Sequence, residues 1–186
     1  MSAPSDEALL ARIGGGDQAA LKALYARHSV KVFRFVARML RDDARAEDIV
    51  SETFIDVWKT AARFEGRSAV GTWLLTIARN KAVSAMRRNR DQELDEEAAG
   101  EIADESDDPE TQMQKQGKSA LLRRCIERLS AEHREVIDLV YYHDKSVEEV
   151  AAIVGIPEGT VKTRMFHARK RLSELAQAAG VDRGWP

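Results

Sequence analysis

Between Asp91 and Glu110 the chain carries eleven acidic residues and no basic one. A stretch this charged, with few large apolar residues and closed by Asp107-Asp108-Pro109-Glu110, cannot bury enough apolar area to offset the entropy of ordering it. The sequence therefore reads as two folded pieces on a tether: residues 1–90, an acidic linker over 91–111, a second domain over 112–180, and a short tail over 181–186. A length of 186 residues suits two small domains. The tether also hides the charge of what it joins. The whole chain has a formal net charge of −2, yet the 166 residues outside the acidic block hold 29 basic and 20 acidic side chains, a net of +9. Basic bodies with an acidic segment often meet nucleic acid.

Apolar residues recur at helical spacing almost throughout, and no run alternates with the period of a strand. The expected fold class is all-α, two small helical domains. In the first, Glu7 to Ile13 and Asp17 to His28 read as short helices parted by Gly14-Gly15-Gly16, with Asp17 as an N-cap. A long apolar pattern follows through Val32, Phe33, Val36 and Leu40. The segment from Ala44 to Arg63 places Ile49, Val50, Phe54, Val57, Trp58 and Ala61 on one stripe and Asp48, Glu52 and Asp56 on the other face, one turn apart. After the break at Glu65-Gly66-Arg67-Ser68, a helix through Trp73, Leu74, Ile77 and Ala78 ends in five bases: Arg79, Lys81, Arg87, Arg88 and Arg90.

The second domain has sharper punctuation. A helix from Ala120 to Leu129 precedes Ser130, which caps another running to about His143. Ser146 and Glu149 have the spacing of a capping box. Ala151, Gly155 and Val161 then stand four, eight and fourteen residues after Val147. The small residue lets two helices cross closely, the glycine permits positive φ in the turn, and the valine buries the inner face of the next helix, which Pro157 opens. This is the spacing of a DNA-binding helix-turn-helix, whose second helix enters the major groove. From Pro157 to Arg171 that helix carries Lys162, Arg164, Arg169, Lys170 and Arg171 against one acid, Glu158, with Thr160, Thr163 and His167 between them. Lys162, Thr163, Phe166 and His167 cluster where recognition helices reach base edges; the later bases suit phosphates.

Other chemistries find little support. His28, His133, His143 and His167 are scattered without ligand spacing, and no phosphate loop, nucleophile motif or catalytic carboxylate pair is present. No enzymatic activity, metal or cofactor is expected. The single cysteine, Cys125, reads as a core thiol. The N-terminal residues lack a signal peptide's basic and apolar regions, and no apolar run is long enough to span a bilayer, so the expected location is the cytoplasm.

The run Leu129 to Ile137, Ser146 to Ile156 and Pro157 to Arg164 resembles the C-terminal domain of bacterial extracytoplasmic-function sigma factors. Ala46 to Trp58 resembles that family's polymerase-docking helix. Phe64 to Leu74 with Ile77-Ala78-Arg79-Asn80 resembles its −10 promoter-reading loop and helix. The resemblance covers nearly the whole chain in the right order. It implies that Asp48, Glu52 and Asp56 face the clamp helices of the largest subunit of core RNA polymerase, with the flap as a second contact. It implies that Glu65, Gly66, Arg67, Ser68, Ala69 and Val70 hold a flipped −10 base, with Arg79, Asn80, Lys81, Arg87 and Arg88 along the adjacent strand. Thr160, Lys162, Thr163, Arg164, Phe166, His167, Arg169 and Lys170 would engage the −35 element. The family often has Arg where Lys162 and His167 stand, so two bidentate guanine contacts are missing here. An anti-sigma factor is the implied regulator.

Two rival readings share the helical outline. A sigma-like decoy would sequester an anti-sigma factor without reading promoters, but would not need a basic recognition helix. A helix-turn-helix repressor or activator would leave the acidic docking row unexplained.

Overall fold

A computed structural model describes residues 3–97 and 118–179, all of its regular elements being helical. The N-terminal domain contains α1 (Asp6–Gly14), α2 (Gln18–Leu40), α3 (Asp43–Thr60), a 3-10 turn over Ala61–Arg63, and α4 (Val70–Glu97). The C-terminal domain contains α5 (Lys118–Glu127), α6 (Ala131–Tyr141), α7 (Val147–Val154) and α8 (Glu158–Ala178).

Local chemistry sets most of the boundaries. Ser5, Asp17, Asp42, Ser130 and Ser146 each accept a hydrogen bond from a free backbone N–H at a helix start. Two boundaries differ from the sequence reading by more than a few residues. The expected short helix ending at His28 and the apolar pattern after it are one helix, α2, because no glycine, proline or cap interrupts Ser29-Val30-Lys31. Helix α4 also continues to Glu97, seven residues into the expected linker. The sequence Asp91 to Glu97 has no Gly or Pro, and extending an existing helix costs far less than nucleating one. The remainder of the expected linker and the tail after Ala179 lie outside the described residues.

In the first domain Leu9, Leu10, Ile13, Leu24, Val36, Val57, Leu74 and Ala78 are almost fully buried. The α1–α2 corner is held by Asp6, which accepts from Arg27 at 2.8 Å and faces His28 Nε2 at 2.6 Å. Burial alone would raise the Asp6 pKa, but the hydrogen bonds from Arg27 and His28 outweigh it and the carboxyl is held below its ordinary value. In the second domain Val136, Val150, Ile153, Val161 and Ala168 are buried, together with Cys125, whose thiol pKa burial pushes up.

The two domains pack against each other, α4 on α7 and α2 on α6. Phe35 of α2 is fully buried, its ring edge-on to His143 with centroids 5.6 Å apart. Arg38 pairs with buried Asp138, and its guanidinium lies 4.0 Å from the Tyr142 ring centre. Arg41 donates to the Glu127 carbonyl at 2.9 Å. A cleft of about 180 Å³ lies in this seam, with Phe35, Met39, Val83 and Met86 on one side and Ala131, Glu132 and Glu135 on the other.

Candidate polymerase and nucleic-acid interfaces

Helix α3 presents its buried and exposed faces much as its pattern predicts. Ala46, Ile49, Val50, Thr53, Phe54 and Val57 face the core, and Asp48 and Glu52 are exposed with Asp56 half-buried. Trp58 departs from the expected stripe: it is 36% exposed. Ile55, missed in the sequence reading, is 52% exposed amid the acidic row. The exposed face of α3 therefore combines acidic side chains with exposed apolar ones, Ile55 and Trp58.

The acidic row is not bare. Lys81 of α4 places its Nζ 2.7 Å from Asp56 Oδ2 and 3.4 Å from Glu52 Oε2. Burial disfavours the ammonium charge, but hydrogen bonding to Asp56 and then Glu52 outweighs it and raises the Lys81 pKa. The sequence grouped Lys81 with strand-binding bases; in the folded chain it is paired with two carboxylates of the acidic row on α3.

The loop before α4 turns at Gly66, whose φ of +68° lies in the left-handed region open to glycine. Its base is pinned by the Phe64 and Trp73 rings, 5.1 Å apart. Glu65, Gly66, Arg67 and Ala69 are exposed and Ser68 half-buried, with Arg67 Nε 2.5 Å from Glu65 Oε2. Val70 differs from the rest of the expected loop. It is the first residue of α4 and 2% exposed, so its side chain belongs to the core and not to a base pocket.

Helix α4 has two working sides. Asn80, Ser84, Arg87 and Arg88 are exposed on one, with Lys81 at its edge. Arg79 points the other way, into the seam, where Nε and Nη2 donate to Glu135 of α6 at 2.6 and 3.2 Å. This bidentate pair is largely buried and withdraws Arg79 from the expected strand-binding row.

The start of α7 is also tied to α4. Ser146 and Glu149 form the expected capping box. The other carboxylate oxygen of Glu149 accepts from Lys145 Nζ at 2.8 Å and Thr72 Oγ1 at 2.5 Å, while Lys145 also donates to Thr72 Oγ1 at 2.8 Å. Burial works against the Glu149 charge, yet these donors and the Ser146 N–H lower its pKa to about 2. Spacing revealed the cap; nothing in spacing revealed that the same carboxylate joins the domains.

In the helix-turn-helix, Gly155 adopts φ 72° and ψ 37° and donates its N–H to Ala151 O at 2.8 Å, so the turn needs the glycine. Val161, Met165 and Ala168 then seat α8 inward, leaving Thr160, Lys162, Thr163, Phe166, His167, Arg169 and Lys170 outward. Phe166 is 66% exposed and lies edge-on to His167. Arg164 departs from the expected set: it is half-buried and paired with Glu132 of α6 at 3.1 Å. Arg169 donates to Tyr141 Oη at 3.0 Å.

Comparison with known proteins agrees with this division. Residues 24–92 match the family model described as sigma-70 region 2, and residues 119–172 match sigma-70, region 4. The chain is 34% identical to the ECF RNA polymerase sigma factor SigL of Mycobacterium tuberculosis, covering 94% of this chain and all of that one. Among solved structures it resembles the sigma factor RpoE from Bartonella quintana, in complex with the anti-sigma factor NepR, at 31% identity and a TM-score of 0.67 over 87% of this chain and 98% of that one. It also resembles CnrH, in complex with the cytosolic domain of CnrY, at 26% identity and a TM-score of 0.68 over 94% and 99% of the two chains. The chain belongs to the extracytoplasmic-function group of sigma-70 RNA polymerase sigma factors. It is a transcription initiation factor rather than an enzyme, and its partners are core RNA polymerase and promoter DNA.

Proposed function

We propose that this factor divides its work among three surfaces: the exposed face of α3 for the polymerase, the Glu65–Ala69 loop with the Asn80, Arg87 and Arg88 side of α4 for the −10 strand, and the outer face of α8 for the −35 element. The observation that carries this reading is that acidic and basic sets occupy separate exposed surfaces on one folded chain. On α8, Lys162, Thr163, Phe166 and His167 offer donors and an aromatic face to major-groove base edges, whereas Arg169 and Lys170 suit phosphate. In the loop, a flipped base would meet exposed backbone at Gly66 and the side chains of Ser68 and Ala69; unstacking costs a few kcal/mol, offset by those contacts and by the nearby cations.

The docked domains represent a closed form, in which Arg79 is held by Glu135 and Thr72 by Lys145 and Glu149. Control by an anti-sigma factor fits this form, because the sigma factor RpoE, solved in complex with the anti-sigma factor NepR, matches 87% of this chain over 98% of its own length. The site of action is the cytoplasm, where polymerase and chromosome meet; none of the described helices is long and apolar enough to cross a membrane. The decoy reading is disfavoured by the exposed basic face of α8.

Run-off transcription from a library of bacterial promoter fragments, with purified core polymerase and with or without this chain, tests the proposal. New starts sharing paired upstream elements are expected. Folded protein that binds polymerase nowhere and yields no starts would overturn it. Asp48, exposed and outside the Lys81 contacts, gives the cleaner point test: Asp48→Arg should weaken polymerase capture with the helical content intact, and unchanged capture would remove α3 as the docking face.

A further inference from the structure

We propose that Lys81 couples polymerase docking to DNA-strand binding by serving, in the free chain, as an internal stand-in for the polymerase's basic surface. The inference rests on the assignment of α3 to the polymerase and α4 to the strand. Its observation is the pairing of one ammonium with two carboxylates of the docking row, at 2.7 Å from Asp56 and 3.4 Å from Glu52, across the α3–α4 packing. Asp48, two turns from Asp56 on the same helix, is not part of this pairing.

A cationic partner that approaches Glu52 and Asp56 competes with Lys81 for the same oxygens. Each new contact weakens the hold on the ammonium, and the lysine stem, anchored on α4, can carry it toward the exposed side of that helix, where Ser84 and Arg88 stand three and seven residues on. That side also bears Asn80 and Arg87. Docking thus releases one positive charge to the row assigned to the −10 strand. Linkage makes the effect reciprocal: a phosphate that draws Lys81 away uncovers two carboxylates for the polymerase. The free chain, with Lys81 neutralised by its own acids, holds DNA less well than the polymerase-bound chain.

The test measures two affinities on full-length protein: for core polymerase, and for a fluorescent mixed-sequence single-stranded DNA with and without polymerase. Lys81→Met, with Lys81→Gln as a polar variant of similar length, should tighten polymerase binding by about two- to fivefold, the range for one exposed ion pair, and weaken strand binding by the complex by a similar factor. Lys81→Arg should restore both. Glu52→Gln combined with Asp56→Asn should strengthen strand binding by the free chain, and in a double-mutant cycle most of that gain should vanish with Lys81→Met. A gain that survives Lys81→Met is only a net-charge effect and overturns the coupling. So does a Lys81→Met protein whose polymerase affinity is unchanged or weaker. Asp48→Arg separates the two levels of inference: if it leaves polymerase binding intact, the docking assignment itself fails; if it weakens binding while the Lys81 variants do not move in opposite directions, the coupling alone fails.

Discussion

Helices α4 and α8 carry similar basic residues and are proposed to meet similar ligands, but the fold treats them differently. On α8, Lys162, Thr163, Phe166, His167 and Lys170 point to solvent, and the nearest carboxylate to Lys162 is its own helical neighbour Glu158, at 3.9 Å. On α4, Arg79 is sequestered by Glu135 and Lys81 by Asp56 and Glu52, leaving Asn80, Arg87 and Arg88 outward. In the docked form the proposed C-terminal reading surface is open and the proposed N-terminal one is partly consumed by the protein itself. A basic residue's role depends on which carboxylates the tertiary structure brings near it, and this is information that charge counting does not contain.

The comparison breaks most directly at Glu135. Removing one partner of a buried ion pair costs about 3–5 kcal/mol when the other charge stays buried. Here Arg79 escapes that cost if the domains part. Glu135→Ala should therefore raise the radius of gyration measured by small-angle X-ray scattering, with helical content unchanged and single-stranded DNA binding improved. A compact variant that is merely less stable would make Arg79 a structural residue and remove the closed-form argument.

The open surface should behave in the opposite way. Lys162→Ala or His167→Ala should cost about 1–3 kcal/mol of −35 discrimination if either makes a good base contact, read by anisotropy on duplex fragments. The loss should be equal in the wild-type and Glu135→Ala backgrounds, because domain separation is not needed to expose α8. A loss that appears only in the opened variant would show that α8 is masked as well.

Acid should loosen the seam through Glu149. Its folded pKa, about 2, lies below the ordinary value of 4.5, so its contribution is fully present above about pH 4.5 and is lost as pH falls toward 2. Asp6 and Asp17 are lowered as well, the first by Arg27 and His28 against burial, the second by the Ala20 N–H and Arg12, but both act within the first domain. Domain separation on acidification, followed by scattering, should therefore be blunted in Glu149→Gln. An identical acid response in that variant would assign the effect to other carboxylates.

The smallest expected change is at the exposed end of α4. Arg87→Ala and Arg88→Ala should each reduce the salt dependence of single-strand binding by a slope of about 0.7 if each meets one phosphate. A loss confined to one promoter sequence would instead mark a base contact.

Much of this molecule was legible before its fold. Ser146 with Glu149, Gly155 and Val161 announced the helix-turn-helix, because caps, left-handed turns and buried helix faces are local requirements that a few residues satisfy within a span of about four turns. The acidic row of α3 was legible for the same reason, since residues four apart share a helix face whatever packs behind them. The expected helix end at His28 was misread, and the run of α4 on to Glu97 was not legible, because neither place has a Gly or Pro to mark the end of a helix.

By itself the sequence determined the all-helical character, the two domains, the turn that presents α8 and the surfaces of opposite charge. The tertiary structure alone decided that Val70 serves the core, that Arg164 turns to Glu132, that Arg79 spans the seam to Glu135, and that Lys81 sits among the acids of α3. Arg79 and Glu135 are 56 residues apart and Lys81 and Glu52 are 29 apart. Helical periodicity fixes the direction of a side chain within its own helix. It says nothing about which other helix will stand in front of it, and electrostatic partners are chosen by distances of a few ångströms that only packing sets.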